Sequence, residues 1–573
     1  MAEAVRLVIW DLDETFWRGA LTEGGVAYRT DTHDIVVELA ARGVMSTICS
    51  KNDFEPVKAM LVEKRIWDYF IFPSIDWTPK GPRIKRLIET VQLRPESVML
   101  IDDNHLNLEE AKFFAPGVRV APETVIPTIL ADPLFKGKDD RALSRLKQYK
   151  VLEARKTDEE CLRETTGGGN IDFLRASDIQ VRIDNDVEAN LDRAIELINR
   201  TNQLNYIKRR LPENIDEARE RLRREISHFT TQAGLVEVSD KYGDYGYCGY
   251  FQLTTRRDVT QLSQFCFSCR ILGMGVEAWV FQRLGKPTLQ IRGEVLSDPT
   301  SHGCVDWIRL VSGQTASSGD SAGAEEPILS FVAARGGCNL WPLAHYFRLS
   351  SSRVVAEFNT IRDGKLISLD HSLCLRHAIL GVTEEQLAAV APLGYIADDF
   401  HTEYFDYSGD QPLWIFSNWI DVGMRVFRHH RTGITIPCVA PRSEEQAVAH
   451  QGLETYLEAE FSPFVYDETE FKKTLTLVFS KIPRKGLMFV LLSLESEGRP
   501  NRRRQERNRW CAEAAAAHPN VRLLRMADFI DDEAEILNTN RTHYDRKVYY
   551  RLYLHVMALA AADLAEQRPR SAG

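Results

Sequence analysis

One stretch near the N-terminus decides the fold of this 573-residue chain: Val5-Arg6-Leu7-Val8-Ile9-Trp10-Asp11-Leu12-Asp13-Glu14-Thr15. An apolar run typical of a buried strand ends there and is followed at once by two carboxylates. Side chains alternate in extended backbone, so Asp11 and Asp13 are expected on the same side. Two carboxylates in one cleft repel each other unless a cation lies between them, and a hard cation with oxygen ligands keeps positions free for phosphate. The junction therefore predicts a metal and phosphate site, and the plainer alternative is a polar turn.

Later segments repeat this pattern. The strand-like run 44–49 ends in Ser50-Lys51-Asn52, and the run 98–101 ends in Asp102-Asp103-Asn104. Lys80 stands just before a helical pattern with apolar residues at Ile84, Leu87 and Ile88. Strands alternating with helices predict an α/β fold with a doubly wound parallel sheet, in which ligands bind at the carboxyl ends of the strands.

Each polar cluster has a chemical use at that edge. Asp11 would attack phosphorus as a nucleophile, and Asp13 would act as general acid and base. Lys80 would neutralise charge that builds on the phosphoryl group. The expected cofactor is Mg²⁺, bound by Asp11, the Asp13 backbone carbonyl, Asp102 and Asp103. The candidate substrate and phosphate-binding residues are Thr15, Ser50, Lys51, Asn52, Lys80 and Asn104.

These motifs resemble those of the haloacid dehalogenase (HAD) superfamily. More narrowly, the segments 11–19, 49–53 and 101–104 are similar to the FkbH-like branch. This resemblance implies that the protein is a glyceryl-carrier-protein synthase. Such an enzyme would transfer a three-carbon glyceryl unit from 1,3-bisphosphoglycerate to the phosphopantetheine thiol of an acyl carrier protein, with phosphate release, in polyketide or other secondary-metabolite biosynthesis. The sequence differs from the family pattern at four positions near the phosphate cleft: Glu14, Arg18, His105 and Asn107.

Two other classes of function stay open. One is a HAD phosphatase acting on a small phosphorylated metabolite, in which water receives the phosphoryl group. The other is a noncatalytic scaffold that binds carrier proteins.

The middle segment carries a second motif, Arg270-Ile271-Leu272-Gly273-Met274-Gly275, between a strand-like run and a helical pattern. Glycines let backbone amides approach an anion at a helix N-terminus. The motif resembles the pyrophosphate loop of GNAT acyltransferases, which implies that Arg270, Gly273 and Gly275 bind pantetheine. With segments 201–205 and 243–246, it is also similar to the region that follows the HAD part in FkbH-like proteins, so the resemblance covers about residues 1–311.

The remaining sequence predicts a linker and a third domain. Residues 312–327 lack aromatic and large aliphatic side chains, a composition that stays flexible. Beyond them, the layout loosely resembles an SGNH-hydrolase fold, with Cys338 at the serine position and with Asn418 and His543 near the other blocks. Asn540 replaces the usual aspartate, so this domain is expected to bind rather than catalyse. The expected division is a HAD-like domain (1–158), a GNAT-like α/β domain (159–311), the linker (312–327) and an SGNH-like α/β domain (328–573).

A thioester route would need a reactive thiol, and the candidates are Cys49 and Cys269. Lys51 stands two residues after Cys49 and Arg270 directly after Cys269, and a nearby cation would lower the pKa of each thiol. Because cysteine is often a small core residue, structural roles are the alternative for both. Direct transfer of the acyl group to the carrier thiol needs neither.

Composition excludes several classes of protein. The net charge is -10, which argues against nucleic-acid binding because that needs a basic face. No apolar run reaches membrane-spanning length and the N-terminus does not resemble a signal peptide, so a cytoplasmic protein without membrane contact is expected. The expected partners are an acyl carrier protein and a small phosphorylated three-carbon substrate.

Overall fold

The computed structural model describes residues 3–21, 25–166, 170–256, 259–311, 329–351, 353–363, 365–407, 409, 412–438, 453–495 and 501–567. The expected linker (312–327) lies outside these residues. The described chain forms three large sheets, and the first and third in chain order are entirely parallel. The α/β fold class predicted from the sequence is confirmed.

The first sheet has five parallel strands in the order β3-β2-β1-β4-β5. Its strands are β1 (Leu7–Trp10), β2 (Met45–Ser50), β3 (Ser74–Ile75), β4 (Val98–Ile101) and β5 (Arg119–Ala121). The helices between them are α1 (Thr30–Ala41), α2 (Phe54–Glu63), α3 (Lys80–Val91) and α4 (His105–Phe114). In β1, Val8 and Trp10 pack into one core while Leu7 and Ile9 pack into the core on the opposite face. Both faces are therefore covered, as a parallel sheet requires.

The middle sheet is mixed, in the order β11-β6-β8-β9-β10-β7, and only the β11–β6 pair is parallel within the described residues. Its strands are β6 (Ile179–Asp184), β7 (Leu204–Asn205), β8 (Thr231–Asp240), β9 (Gly243–Arg256), β10 (Val259–Phe267) and β11 (Ile308–Leu310). The helices of this region are α5 (Ser144–Thr166), α6 (Asn170–Ala176), α7 (Leu191–Arg200), α8 (Ile215–Ser227) and α9 (Val276–Arg283). The GNAT-like assignment stays a prediction.

The third sheet is again all parallel, in the order β13-β12-β16-β20-β21. Its strands are β12 (Phe331–Gly336), β13 (Val354–Phe358), β16 (Pro412–Ser417), β20 (Leu487–Leu492) and β21 (Val521–Arg525). Smaller strands are β14 (Thr360–Arg362), β15 (Lys365–Ile367), β17 (Arg425–His429), β18 (Thr435–Cys438) and β19 (Phe461–Phe464). The helices are α10 (Trp341–Ser350), α11 (Ser372–Leu380), α12 (Glu384–Val390), α13 (Leu453–Glu460), α14 (Glu468–Ser480), α15 (Asn501–Ala515) and α16 (Arg546–Gln567).

Helix α5 joins the first sheet to the middle one. Glu153 accepts a hydrogen bond from the Phe72 backbone N–H, and five residues later Asp158 accepts one from the Tyr242 hydroxyl. The expected boundary between residues 158 and 159 therefore falls inside a continuous helix that contacts both regions. The division into domains stays a prediction.

The middle and C-terminal regions also contact each other. Arg546 donates a hydrogen bond to the Ala233 carbonyl at 2.9 Å, and Lys547 pairs with Glu188 at 2.6 Å. The described helices include none that is both long enough and apolar enough to cross a bilayer.

Candidate metal centre

Three carboxylates meet at the carboxyl edge of the first sheet. Strands β1 and β4 are neighbours with Trp10 opposite Ile101, so the residues that follow each strand are delivered side by side. The Asp11 backbone N–H donates to the Ile101 carbonyl at 3.0 Å and continues the ladder by one residue. Carboxylate oxygens of Asp11, Asp102 and Asp103 then lie within 4.8 Å of one another.

A buried lysine neutralises part of this charge. Lys80, the first residue of α3, is 2% exposed, and its Nζ lies 2.6 Å from Asp11 and 2.7 Å from Asp102. Burial raises the pKa of Asp11 to about 6, with Lys80 opposing the rise and Asp102 adding to it. Burial also acts to lower the pKa of Lys80, but the two carboxylates raise it above its ordinary value. Three carboxylates against one ammonium leave a site whose oxygen donors and net negative charge fit Mg²⁺.

The Asp13 carboxylate lies outside this group of three. Its oxygens accept hydrogen bonds from Trp17 Nε1 at 2.8 Å and from Asn52 Nδ2 at 2.9 Å. The same Asn52 nitrogen also reaches Ser50 Oγ at 3.3 Å. The Asp13 side chain is thus held by Trp17 and Asn52, and its proton-transfer and metal-binding roles stay predictions. The side-chain amide of Asn52 therefore links Asp13, after β1, to Ser50 at the end of β2.

Asp102 and Asp103 are each held by neighbours. Asn107 Nδ2 donates to both oxygens of Asp102, at 2.9 and 3.2 Å. Thr15 Oγ1 accepts from the Asp103 backbone N–H at 3.0 Å and donates to Asp103 Oδ1 at 3.4 Å, so the buried Thr15 holds this carboxylate in place. The Asn104 side chain caps α4, its Oδ1 accepting from Leu106 N–H at 2.9 Å, and phosphate binding by Asn104 stays a prediction.

Sequence reasoning gave no role to Trp17 and Arg83, and it marked Asn107 only as a departure from the family pattern. Arg83 is buried, and it donates to the backbone carbonyl of Ser50 at 3.0 Å and to Ser74 Oγ at 2.9 Å, which fixes the ends of two strands. None of the three directly follows a strand, and strand ends were the signal used. Lys51, which the sequence predicted as a phosphate-binding residue, is exposed.

The two cysteine candidates are placed differently from the carboxylates. Cys49 is fully buried in the core between the first sheet and its helices, and burial raises the pKa of its thiol to about 12. The expectation of a catalytic thiolate at Cys49 is corrected, because its side chain points to the face opposite Ser50. Cys269 is half-buried beside Arg270, and burial raises the pKa of its thiol as well. Neither environment favours the thiolate.

The glycine-rich loop has the strand–loop–helix setting that the motif requires. It leaves β10 and enters α9, with left-handed backbone at Gly273 (φ 77°) and Gly275 (φ 79°). A Cβ on Gly275 would lie 3.0 Å from the Trp307 ring, so glycine is needed there for space as well. Arg270 Nε donates to Ser268 Oγ at 3.2 Å. Pantetheine binding by this loop stays a prediction.

The SGNH-like residues are only partly described. The side chain of Cys338 lies outside the described residues. Asn418 follows β16 and is buried with its Nδ2 4.0 Å from Cys511 Sγ. His543 Nδ1 lies 2.8 Å from Asn538 Nδ2, and its ring centroid lies 4.3 Å from that of Phe229 in the middle region.

Comparison with protein families and with curated proteins gives no match. Among solved structures, the chain is similar to the N-terminal part of a Bacteroides fragilis protein that contains a phosphatase domain complexed with Mg, at 22% identity and a TM-score of 0.20, over 21% of this chain and 36% of that one. It is also similar to 3-deoxy-D-manno-octulosonate 8-phosphate phosphatase from Moraxella catarrhalis in complex with magnesium, phosphate and KDO, at 12% identity and a TM-score of 0.18, over 28% of this chain and 94% of that one. A cobalt-bound deoxy-D-mannose-octulosonate 8-phosphate phosphatase from Haemophilus influenzae is similar at 15% identity and a TM-score of 0.18, over 27% and 92% of the two chains. Similarities of this extent leave the activity to be argued from the chain's own residues.

Proposed function

We propose that the first sheet carries an Mg²⁺-dependent phosphoryl-transfer site. The observation that carries this proposal is the meeting of Asp11, Asp102 and Asp103 within 4.8 Å at one strand edge, beside the buried ammonium of Lys80. A phosphate monoester brings two negative charges, which these carboxylates alone would repel. Asp11, Asp102, Asp103 and the Asp13 carbonyl would hold Mg²⁺, which when bound offsets the charge on the phosphoryl oxygens.

Each residue has a defined step. An Asp11 oxygen attacks phosphorus and forms an aspartyl phosphate, while the bond to the leaving oxygen breaks. Asp13, fixed by Trp17 and Asn52, gives its proton to that oxygen. It then takes a proton from the water that hydrolyses the aspartyl phosphate, which restores Asp11 and releases inorganic phosphate.

The finer proposal is glyceryl transfer to an acyl carrier protein, which rests on the FkbH-like motifs. The pantetheine thiol attacks the acyl carbon of 1,3-bisphosphoglycerate, so a thioester forms and one phosphate leaves. Removal of the remaining phosphate ester through Asp11 consumes one water and gives a glyceryl thioester. The loop with Arg270, Gly273 and Gly275 would hold the pantetheine arm, which would place acyl capture in the middle region.

The test is incubation of the full chain with Mg²⁺, 1,3-bisphosphoglycerate and a pantetheine-bearing carrier protein, with mass spectrometry of the carrier and an assay of released phosphate. Glyceryl on the pantetheine supports transfer. Phosphate release without acylation supports a plain phosphatase on a small metabolite, and the absence of both supports a scaffold that only binds the carrier.

The decisive variant is Asp11→Asn, which keeps the shape and removes the nucleophilic oxygen. We expect phosphate release to fall at least about 10³-fold, because the covalent route is lost. Asp34→Asn is the matched control, since Asp34 is exposed on α1. If Asp11→Asn retained the turnover of Asp34→Asn at equal thermal stability, Asp11 would not be the nucleophile.

A further inference from the structure

The third sheet has its own point at which the strand order reverses. From β12 the chain runs outward to β13 and then returns to β16 on the other side of β12. In open parallel sheets, ligands bind outside the carboxyl ends of the strands at such a point. The ends of the two strands lie close together here, because a Cβ on Gly336 would be 2.9 Å from Ser417 Cβ.

A buried set of hydrogen bonds lies beside this point. Asp421, four residues after β16, accepts from the backbone N–H of Ser372 at 3.0 Å and lies 3.3 Å from His371 Nδ1. His371 Nδ1 also accepts from Leu373 N–H at 3.2 Å. The Nδ1 side of the ring is therefore fixed, and Nε2 is the atom left over.

Several polar atoms of the segments that meet at this edge have no partner among the described residues. They are Asn339 Nδ2, Asp370 Oδ1, His371 Nε2 and Ser417 Oγ. These side chains are between 0% and 5% exposed. A Cβ on Gly337 would lie 2.6 Å from Asn339 Oδ1 and 3.3 Å from Asp370 Oδ2, so these two side chains converge where only a glycine fits. Buried polar groups are nearly always hydrogen-bonded, so the unpaired Asn339 and Asp370 atoms, on side chains that converge at Gly337, indicate a bound partner there.

The charges indicate the class of ligand. Arg335 pairs with Glu357, and the charge of Arg507 is opposed by that of Asp421. Both arginines therefore already face carboxylates, and Asp370 adds a further acid beside them, so no surplus positive charge is left for a phosphate or carboxylate ligand. The histidine and carboxylates here do not form one of the groups that could hold a metal ion within the described chain. Asp370 Oδ1 accepts hydrogen bonds and Asn339 Nδ2 donates them. A ligand hydroxyl group can do both, so hydroxyl groups could pair with these two atoms.

We propose that the C-terminal region (residues 329–567) binds a small uncharged polyol or sugar at this edge, with Asp370 and Asn339 contacting its hydroxyl groups and His371 and Ser417 completing the site. This site is independent of the phosphoryl-transfer site on the first sheet. It takes a neutral ligand where the first site takes an anion.

The binding test uses saturation-transfer NMR on the full chain with three probes: glycerol, meso-erythritol and D-glycerate. We expect transfer to at least one polyol and little to glycerate, and at least a fivefold loss of the polyol signal in both Asp370→Asn and Asn339→Ala. No transfer to either polyol, equal transfer to glycerate, or unchanged signals in the variants would overturn the proposal, and the first of these would mean that water alone fills the site.

Thermal stability separates a binding role from a structural one. Because no described group pairs with Asp370 Oδ1, Asp370→Asn should leave Tm unchanged or raise it. The control is Asp399→Asn in the same region, since Asp399 is equally buried but accepts from Arg362 at 2.6 and 2.9 Å. That variant should lower Tm by about 5 °C or more. A loss for Asp370→Asn as large as for Asp399→Asn would show that Asp370 stabilises the fold, and the proposal would fail.

Discussion

Replacing Lys80 by Met is the sharpest test of the metal centre, because it removes a buried cation and keeps a side chain of similar length. Lys80 lies 2.6 Å from Asp11 and 2.7 Å from Asp102, and all three side chains are under one-tenth exposed. Removing one partner of a buried ion pair leaves an uncompensated charge and costs about 3–5 kcal/mol. For the predicted HAD-like domain (1–158), that corresponds to a fall in Tm of about 10 °C.

The assay is thermal unfolding followed by circular dichroism, with EDTA and then with excess Mg²⁺. In Lys80→Met the three carboxylates lose their ammonium, so we expect a larger Mg²⁺-dependent rise in Tm than in the wild type. Saturation at 100 times the dissociation constant would contribute about 2.7 kcal/mol, which offsets a good part of the loss. Phosphate release should fall in the same variant even with Mg²⁺, because Lys80 no longer neutralises the phosphoryl oxygens.

Lys85→Met is the matched control, since Lys85 is exposed on the same helix α3. It should change Tm by less than about 1 °C, as surface substitutions usually do. The reasoning would be refuted if Lys80→Met melted like Lys85→Met in EDTA, or if Mg²⁺ raised the Tm of both variants equally.

Three further perturbations test other parts of the structure. Trp17→Phe keeps an aromatic side chain but removes the N–H that donates to Asp13, so kcat for phosphate release should fall about 10-fold with little change in KM or in the circular dichroism spectrum. His345 is buried, and burial lowers its pKa to about 3, so below the unfolded-state pKa of 6.5 the unfolded chain binds a proton that the folded chain excludes. The free energy of unfolding therefore falls by up to about 1.4 kcal/mol per pH unit as the pH drops below 6.5. In His345→Leu, urea titrations should show that this free energy depends less steeply on pH. Gly81→Ala places a Cβ 2.4 Å from the Phe114 ring and should lower the free energy of unfolding by about 1–3 kcal/mol, measured by the same titrations.

Much of the first site could be predicted because its residues follow strands directly. An apolar run of four to six residues marks a buried parallel strand, and parallel strands deliver the residues after them to one edge. Asp11 and Asp102 are brought together by this rule alone, since Trp10 lies opposite Ile101 in the sheet. Lys80 was found by another local signal, the start of a helix.

The rule fails for side chains that reach the edge from elsewhere. Asn107 approaches Asp102 from within a helix, and Trp17 approaches Asp13 from the turn after β1. Cys49 shows the value of alternation: it precedes Ser50 in sequence, but alternation along β2 sends its thiol into the core, which was the structural alternative for this residue. Neighbours in sequence are therefore poor evidence for a shared site within a strand, whereas every second residue is better evidence.

The polar cluster of the C-terminal region shows where the same limit is most severe. Asn339 and Ser417 lie at strand ends and were within reach of the rule, but Asp370 and His371 come from a connection after a two-stranded hairpin. Their meeting depends on how that connection folds back over Gly337, which no local pattern encodes. Parallel sheets therefore reveal from sequence where a site lies, while the residues that decide what it binds come largely from the connections. This asymmetry is why the charge of the first site could be expected in advance, whereas the neutral ligand proposed for the second rests on how the charges around it are paired in the structure.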